Sequence, residues 1–301
     1  NMTMLKACYS PRYYAHTKSN SMEKLTAVAE AVQARGLAKL IAPNPIDADL
    51  LRRLHNPAFV DAFLTGQAPL AQSQRFIWSE QLRDAVLHIQ GGQLCAAEIA
   101  LREGIAANIA QGFHHAEYDY GGGYCTFNGL ALLAQQYPDK RVFVLDCDQH
   151  GGNGTAEFTR SLENLFNYTI FGMRYGCREY DRSINAWIPR EQGSFVQYQR
   201  ALEDAFGRIL EWKTDLLVYQ AGMDCHQLDP FGSAWFDSDS LYQRDLMVFE
   251  FAKQHGIPIV FVLAGGYQAL PALTELHVST FQAAQVVYFN LKSVSTNQMI
   301  V

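Results

Sequence analysis

Four short apolar runs constrain the fold of this chain most strongly, because apolar and polar residues do not alternate within them. They are rich in β-branched and aromatic residues, and they lie at 141–147 (RVFVLDC), 165–171 (LFNYTIF), 215–221 (DLLVYQA) and 257–264 (IPIVFVLA). An uninterrupted apolar strand is typical of a parallel sheet whose two faces are both covered by helices. The pattern therefore predicts strands that are buried on both sides.

Segments with helical spacing and good helix formers separate these runs, which predicts right-handed βαβ units packed as an α/β sandwich. The last helical segment would cover the sheet after the final strand, and the tail from Lys292 onward carries no structural signal. The predicted helices span 22–35, 79–102, 128–137, 197–212, 238–255 and 270–291.

The length of 301 residues would allow two domains, but no linker is visible. The sequence contains no Pro/Ser/Gly-rich tract, no charge run and no repeat of fixed period. We therefore expect a single domain over residues 1–301.

Composition and charge exclude several classes of protein. The formal net charge of −6 comes without the basic stripe that is typical of nucleic-acid binders, so we expect no direct nucleic-acid binding. The N-terminus lacks the basic-then-apolar pattern of a signal peptide, and the longest apolar runs are too short to cross a bilayer. None of the six cysteines forms a C-x-x-C pair. A reducing, cytoplasmic location is therefore expected.

Polar or glycine-rich residues follow four apolar stretches directly. Since the carboxyl ends of parallel strands meet at one edge of a sheet, these segments should lie close together and form a site. The segments are GFHHAEYDYGGGYC at 112–125, DCDQHGGNG at 146–154, AGMDCHQLDP at 221–230 and AGGYQ at 264–268.

The second segment favours a metal site. Asp146, Asp148 and His150 alternate along the chain and would project to one side of an extended backbone. Asp224 ends another apolar run, where a buried carboxylate needs a partner. Asp148, His150 and Asp224 would leave a fourth position open, as in catalytic zinc sites, although two oxygen ligands also suit Fe(II) or Co(II). A solvated acidic turn or a helix cap is the alternative interpretation.

Two adjacent histidines, His114 and His115, are the candidates for general acid and base. Metal-assisted hydrolysis needs one group to accept the proton of the attacking water and one to protonate the leaving amine, and imidazole does both near neutral pH. Tyr267, after a glycine pair, could donate a hydrogen bond to the developing oxyanion. Each of these residues taken alone would more often be a packing residue.

The glycine-rich segment before Phe127 is the candidate substrate channel. Gly123 and Tyr124 would form its wall, together with the loop at 171–175. Cys125 raises the alternative of a Cys–His hydrolase, but no other feature indicates an activated thiolate.

Taken together, these segments resemble the histone deacetylase superfamily. The motifs HH, D-x-D-x-H, A-G-x-D and G-G-Y occur in the order of that family, and the similarity runs from Tyr9 to about Gln285. The motifs G-F-H-H, G-G-G-Y-C, H-G-G-N-G and G-G-Y-Q are most similar to the class IV branch and its bacterial relatives.

The resemblance implies a fold and two metal ions. The fold would be the arginase/deacetylase three-layer α/β sandwich, with a mainly parallel central sheet of about eight strands. Asp148, His150 and Asp224 would hold one catalytic Zn²⁺. A structural monovalent cation, expected to be K⁺, would lie beside Asp146, Asp148 and His150.

The resemblance also implies roles for the remaining site residues. His114 and His115 would be the paired acid/base histidines, and Tyr267 the phenol that polarises the carbonyl group. Asp146 would support His114 from the second shell, and Asn153 would support His115. The implied function is a zinc-dependent hydrolase that cleaves the amide bond of an acylated lysine, or of an acylated polyamine or other small amine. The acyl group could be acetyl or a longer fatty acyl chain.

Two features depart from the family pattern. Many deacetylases have aspartate at the position of Asn153, and a neutral amide should stabilise a charged imidazolium less well. The segment 16–25 lacks the arginine-bearing pattern common in that region, so contacts of an internal cavity stay unassigned.

Two other functions compete with this prediction. An arginase- or agmatinase-like hydrolase with two Mn²⁺ ions would need carboxylates where this sequence has Gly152 and His226. A catalytically silent module that binds acylated lysine would be expected to lack a ligand, a base or the tyrosine, and all of these are present.

Overall fold

The computed structural model describes residues 4–190, 194–232 and 236–289. In these residues eight strands form one sheet, in which every neighbouring pair is parallel, in the order β2-β1-β3-β8-β7-β4-β5-β6. The strands are β1 (Lys6–Cys8), β2 (Lys39–Ile41), β3 (Ile105–Asn108), β4 (Val142–Asp146), β5 (Leu165–Phe171), β6 (Ser183–Trp187), β7 (Leu216–Gln220) and β8 (Ile259–Val262).

Helices cover both faces of this sheet. One set packs in succession as α1, α9, α8 and α7, and a second set consists of α4, α5, α2 and α3. The bounds are α1 (Asn20–Ala34), α2 (Ala48–Leu54), α3 (Pro57–Thr65), α4 (Glu80–Glu103), α5 (Ala131–Gln136), α6 (Asn153–Phe158), α7 (Phe195–Glu211), α8 (Ser238–Gln254) and α9 (Ala272–Phe289). The predicted three-layer α/β sandwich is confirmed.

The apolar runs form the centre of the sheet. Every residue of β3, β4, β5, β7 and β8 is buried, as expected for strands covered on both faces. The order β3-β8-β7-β4 brings together four strands that are scattered along the sequence. Their last residues are also in register, because Asn108 pairs with Val262, Val262 with Gln220, and Gln220 with Asp146. The four polar segments therefore begin side by side at the same edge.

Most of the predicted helices are present within two or three residues of their expected bounds. The prediction missed β1, β2 and β6, as well as α2, α3 and α6. The first two strands have only three residues each, and the last four of the five residues of β6, at the sheet edge, are at least partly exposed, so none of the three has a long apolar run. The end of the helix predicted at 270–291 and the tail from Lys292 lie outside the described residues. None of the described helices combines the length and the apolar character needed to span a membrane.

Candidate metal centre and active site

The segment after β4 presents its acidic side chains through a chain of hydrogen bonds to the backbone. Asp146 Oδ1 accepts from the backbone N–H of Asp148 at 3.0 Å, and Asp148 Oδ1 accepts from the N–H of His150 at 2.9 Å. Gln220, the last residue of β7, donates to the same Asp146 oxygen at 3.0 Å. Each carboxylate thus fixes the position of the next residue in the alternating motif.

Asp148, His150 and Asp224 come together at this edge. Each offers one ligand atom, and these atoms lie within 4.8 Å of one another. His150 Nδ1 is 3.0 Å from Asp224 Oδ2 and 3.3 Å from Asp148 Oδ1. The backbone N–H of Gly265, after β8, donates to Asp148 Oδ2 at 2.6 Å, and that of Gln149 donates to Asp224 Oδ1 at 2.9 Å. Three strand ends therefore define one cluster of ligand atoms.

Charge and space at this cluster suit a small cation. Burial opposes protonation of His150, but its hydrogen bonds to Asp148 and Asp224 outweigh burial and raise its pKa to about 11. Burial and the nearby charge of Asp148 raise the pKa of Asp224 to about 7. The two buried carboxylates thus keep the imidazole of His150 positively charged. A metal ion could supply that positive charge instead. A Cβ atom at Gly265 would lie 2.2 Å from Asp224 Oδ2 and 2.6 Å from Asp148 Oδ2, so the lack of a side chain there leaves room for the carboxylates.

The two adjacent histidines have different partners. His114 Nδ1 is 2.6 Å from Asp146 Oδ2, whereas His115 Nδ1 is 2.6 Å from the amide oxygen of Asn153. Burial opposes protonation of both rings, but the charges of Asp146 and Asp148 raise the pKa of His114 above its usual value. For His115, burial and the charge of His114 lower the pKa well below its usual value. The pair therefore favours one charged and one neutral imidazole.

Tyr267 lies across the cluster from these histidines. Its ring centroid is 6.5 Å from that of His150, and it lines a narrow cavity with His114, His115 and Asp148. The backbone N–H of Tyr267 donates to Asp229 Oδ2 at 2.9 Å. Burial raises the pKa of the phenol well above its usual value, so Tyr267 remains a hydrogen-bond donor at neutral pH.

Aromatic residues line the entrance to this cavity. Tyr175 stacks on the His115 ring with centroids 3.9 Å apart, and Tyr124 stacks on Phe76 at 5.0 Å. A Cβ atom at Gly123 would lie 2.5 Å from His115 Cδ2, so only glycine allows the wall to approach the histidine this closely. Four of the non-glycine residues with positive φ lie in the segments that form the cavity and its entrance, and such strain is often concentrated at functional sites. They are Arg75, Phe113, Tyr124 and Tyr175.

The sequence analysis did not identify three supporting residues. Gln220 holds Asp146, and Asp229 holds the backbone of Tyr267. Lys24 of α1 is fully buried and donates to the carbonyl oxygen of Ala264, next to the Gly265 that binds Asp148. Burial lowers the pKa of Lys24 to about 8, although the charges of Asp224, Asp148 and Asp229 oppose that shift. The sequence did contain a signal for Lys24, because a lysine at a core position of an amphipathic helix needs a polar partner.

The geometry supports neither a binuclear arginase-like metal site nor a cysteine nucleophile. Among the described residues, one group of three or more His, Cys, Asp or Glu side chains is close enough to bind a metal. A Cβ atom at Gly152 would lie 2.5 Å from Asp146 Oδ2, so a carboxylate does not fit there. His226 Nδ1 accepts from the N–H of Leu228 and from Gln268 instead of joining the cluster. Burial raises the pKa of Cys125, which disfavours a thiolate nucleophile.

Comparison with known proteins identifies the family. Residues 18–283 match the model of the histone deacetylase domain. An uncharacterized protein of Picosynechococcus sp. is 29% identical over 82% of this chain and 85% of its own length. Histone deacetylase 2 of Arabidopsis thaliana is 29% identical over 80% of this chain, a match that spans 63% of the plant protein. Acetylpolyamine amidohydrolase 2 of Pseudomonas aeruginosa is 27% identical over 86% of this chain and 88% of its own length.

Solved structures share the fold. The crystal structure of acetylpolyamine aminohydrolase from Burkholderia pseudomallei has a TM-score of 0.81 and 18% identity, covering 94% of this chain and 99% of that one. The HD domain of HDA15 has a TM-score of 0.79 and 18% identity, covering 97% of this chain and 92% of that one.

Proposed function

This chain belongs to the histone deacetylase domain family, and we propose that it is a zinc-dependent hydrolase that cleaves the amide bond of an acylated lysine or a related acylated amine. One observation carries the proposal. The cavity that contains Asp148 of the ligand cluster is also lined by His114, His115 and Tyr267. A metal ligand, two imidazoles and a phenol therefore face the same small space.

The donor set fits zinc. Asp148, His150 and Asp224 would hold the ion through two carboxylates and one imidazole, a three-ligand donor set typical of catalytic zinc. When bound, the ion supplies Lewis-acid activation of the water and of the substrate carbonyl. A structural K⁺ beside Asp146 is part of the same proposal. The fully buried carboxylate of Asp146 provides the negative charge beside which such a cation would bind.

His115 is the proposed general base. Because the amide oxygen of Asn153 accepts a hydrogen bond, His115 Nδ1 carries the proton and Nε2 is free to accept one. Its low pKa keeps this ring neutral at physiological pH, which is the form that accepts a proton from the attacking water. Tyr175 covers one face of the ring and limits the access of bulk solvent.

His114 and Tyr267 have complementary roles in the proposal. Asp146 keeps a positive charge on His114, which stabilises negative charge that develops on the substrate and can protonate the departing amine. The phenol of Tyr267 donates a hydrogen bond to the carbonyl oxygen as it becomes an oxyanion. Asp229, through the N–H of Tyr267, holds this residue in place.

The proposed substrates follow from the family and the narrow cavity. In this proposal an acyl-lysine side chain enters the channel beside Tyr124 and Tyr175 with its acyl group first, and that group is acetyl or a longer fatty chain. Two relatives, the histone deacetylase 2 of Arabidopsis thaliana and the acetylpolyamine amidohydrolase 2 of Pseudomonas aeruginosa, support acylated amines as the substrate class. A cytoplasmic location remains part of the proposal.

The experiment is incubation of the zinc-loaded protein with acetyl-lysine, myristoyl-lysine and acetylpolyamine amides. Release of the free amine, measured by mass spectrometry, is the expected result for at least one of them. A variant with Asp148→Asn and Asp224→Asn is the negative control. Equal product from the wild type and this variant would contradict the proposal.

A further inference from the structure

A second, larger cavity lies beside the candidate active site. Its volume is about 490 Å³, enough for a substrate segment outside the narrow channel. It lies between the segment that precedes α1 and the segment that precedes α4. Its lining includes His16, Lys18, Ser19, Arg75, Ser79 and Tyr124.

Tyr124 separates this cavity from the catalytic one. Its neighbours Gly123 and Cys125 line the catalytic cavity, whereas Tyr124 itself lines the larger one. The N–H of Tyr124 donates to the carbonyl oxygen of Gln74 at 2.9 Å, and its ring stacks on Phe76 with an interplanar angle of 22°. The wall of the channel and the wall of the larger cavity are therefore continuous through Tyr124.

The lining of the larger cavity is cationic. It includes Lys18, Arg75 and His16 but no Asp or Glu residue. Among the described residues, neither Lys18 nor Arg75 forms an ion pair, whereas the nearby Arg12 and Arg83 both pair with Asp84. The charges of Lys18 and Arg75 are thus not neutralised by the protein.

Two helices add to this positive potential. Ser19 and Ser79 line the cavity and are the N-caps of α1 and α4, which have 15 and 24 residues. The N-terminus of a helix carries a partial positive charge that favours nearby anions. Burial raises the pKa of the Tyr175 phenol and the nearby charge of Arg75 opposes that shift, so Arg75 lies close to the residue that stacks on His115 at the entrance of the channel.

We propose that this cavity, lined by Lys18 and Arg75, binds a carboxylate that flanks the acylated amine of the substrate. The inference rests on the proposed function and narrows its substrate class. An acyl-lysine with a neighbouring carboxylate, either its own α-carboxylate or an acidic side chain in a peptide, is the favoured substrate. An acetylpolyamine is disfavoured, because its remaining amines are protonated at neutral pH and are repelled by the same cations.

The test compares four substrates that have the same acyl group on the amine. They are the α-N-blocked acyl-lysine with a free carboxylate, its neutral methylamide, an end-blocked peptide with glutamate on both sides of acyl-lysine, and acylputrescine. The wild type should show kcat/KM for the anionic substrates roughly tenfold above the neutral one, with the cationic substrate lowest. The free carboxylate and the peptide distinguish the two sources of the anion. The preference should shrink at high salt.

Charge reversal tests the residues themselves. In the double variant Lys18→Glu/Arg75→Glu, the ratio of kcat/KM for anionic and neutral substrates should fall about tenfold or more. Lys39→Glu/Lys140→Glu is the matched control, because these lysines lie at the amino ends of β2 and β4, away from the site, and the change in net charge is the same. The control should keep the wild-type ratio. An unchanged ratio in the Lys18/Arg75 variant, or a wild-type preference for acylputrescine, would overturn the inference.

Failure of the proposed function would give a different result. In that case none of the four amides would be hydrolysed by the zinc-loaded protein. Calorimetric binding of the same four compounds would still decide the inference, since it needs no turnover. Tighter binding of the anionic compounds to the wild type than to Lys18→Glu/Arg75→Glu supports the carboxylate site, and equal binding overturns it.

Discussion

His115 Nδ1 lies 2.6 Å from the amide oxygen of Asn153, so this histidine is supported by a neutral group. The adjacent His114 has a carboxylate at the same distance, that of Asp146. The asymmetry matters because a carboxylate stabilises a charged imidazolium more than an amide does. This difference in partner favours a charged His114 and a neutral His115, although both rings are almost equally buried.

This asymmetry predicts the pH dependence of an Asn153→Asp variant. In the wild type the pKa of His115 lies well below its usual value, so the neutral base persists to low pH. A carboxylate at 153 should raise that pKa, and the acidic limb of the kcat/KM profile should move to higher pH by about one unit. Zinc content must be measured at each pH, since protonation of ligands also releases metal. Coincident acidic limbs would mean that His115 is not the titrating base.

Removal of the Tyr267 hydroxyl should affect turnover and not metal binding. Tyr267→Phe deletes the proposed oxyanion donor, and kcat should fall by about 100-fold or more. Zinc content and the far-UV spectrum should stay unchanged. Tyr137→Phe, at the end of α5, is the control for loss of a tyrosine hydroxyl. Similar kcat values for the two variants would show that the Tyr267 phenol only packs.

Gly265→Ala should weaken metal binding through steric contact. The new Cβ atom would overlap Oδ2 of Asp224 and Oδ2 of Asp148, and the two ligands would have to move apart. We expect zinc affinity, measured with a chelator competition assay, to fall at least tenfold. Gly207→Ala in α7 is the matched control, because no atom lies within 4 Å of its Cβ position. That control should bind zinc normally and gain about 0.5–1 kcal/mol in stability. Unchanged affinity in Gly265→Ala would contradict the proposed ligand set.

The residues of the site could be predicted from the sequence, whereas some of the residues that support them could not. Asp148, His150, Asp224 and Tyr267 follow fully buried strands, and the rule that parallel strands share a carboxyl edge was enough to predict that they meet. Asp229 and Gln220 could not be assigned, because each acts through a tertiary contact that no local pattern encodes. The helical pattern places Lys24 at a core position but does not indicate its partner. The same holds for the larger cavity, which depends on how two capped helices approach Tyr124.

The missed elements of the fold have a similar cause. The strands β1 and β2 contain three residues each, too few for a period-two or apolar pattern to be recognised. Their place in the sheet is set by pairing with β3 and with each other.

A buried histidine outside the site should make stability depend on pH. His55 Nε2 accepts from the N–H of Asn128 at 3.0 Å, and Nδ1 lies 2.8 Å from the carbonyl oxygen of Glu117. Burial lowers the pKa of His55 to about 4, from 6.5 in the unfolded chain. The unfolded state therefore binds the proton more readily, and the stability from the neutral ring is present above pH 6.5 and is lost as pH falls towards 4.

Urea unfolding of the wild type and of His55→Gln checks this prediction. The variant should be less stable at pH 7.5, and its deficit should shrink by roughly 1.4 kcal/mol at pH 5.5, because only the wild type loses stability through this group. A constant difference between the two proteins across this range would show that His55 does not titrate with a lowered pKa.

A zinc titration tests the central claim most directly. Metal-free protein is titrated with Zn²⁺, and hydrolysis of an acyl-lysine amide is measured after each addition together with the metal content per chain. We predict that activity is absent without metal, rises linearly and saturates at one zinc per chain, because Asp148, His150 and Asp224 form the one candidate metal group among the described residues. A requirement for two manganese ions per chain, or hydrolysis that is independent of added metal, would contradict the account.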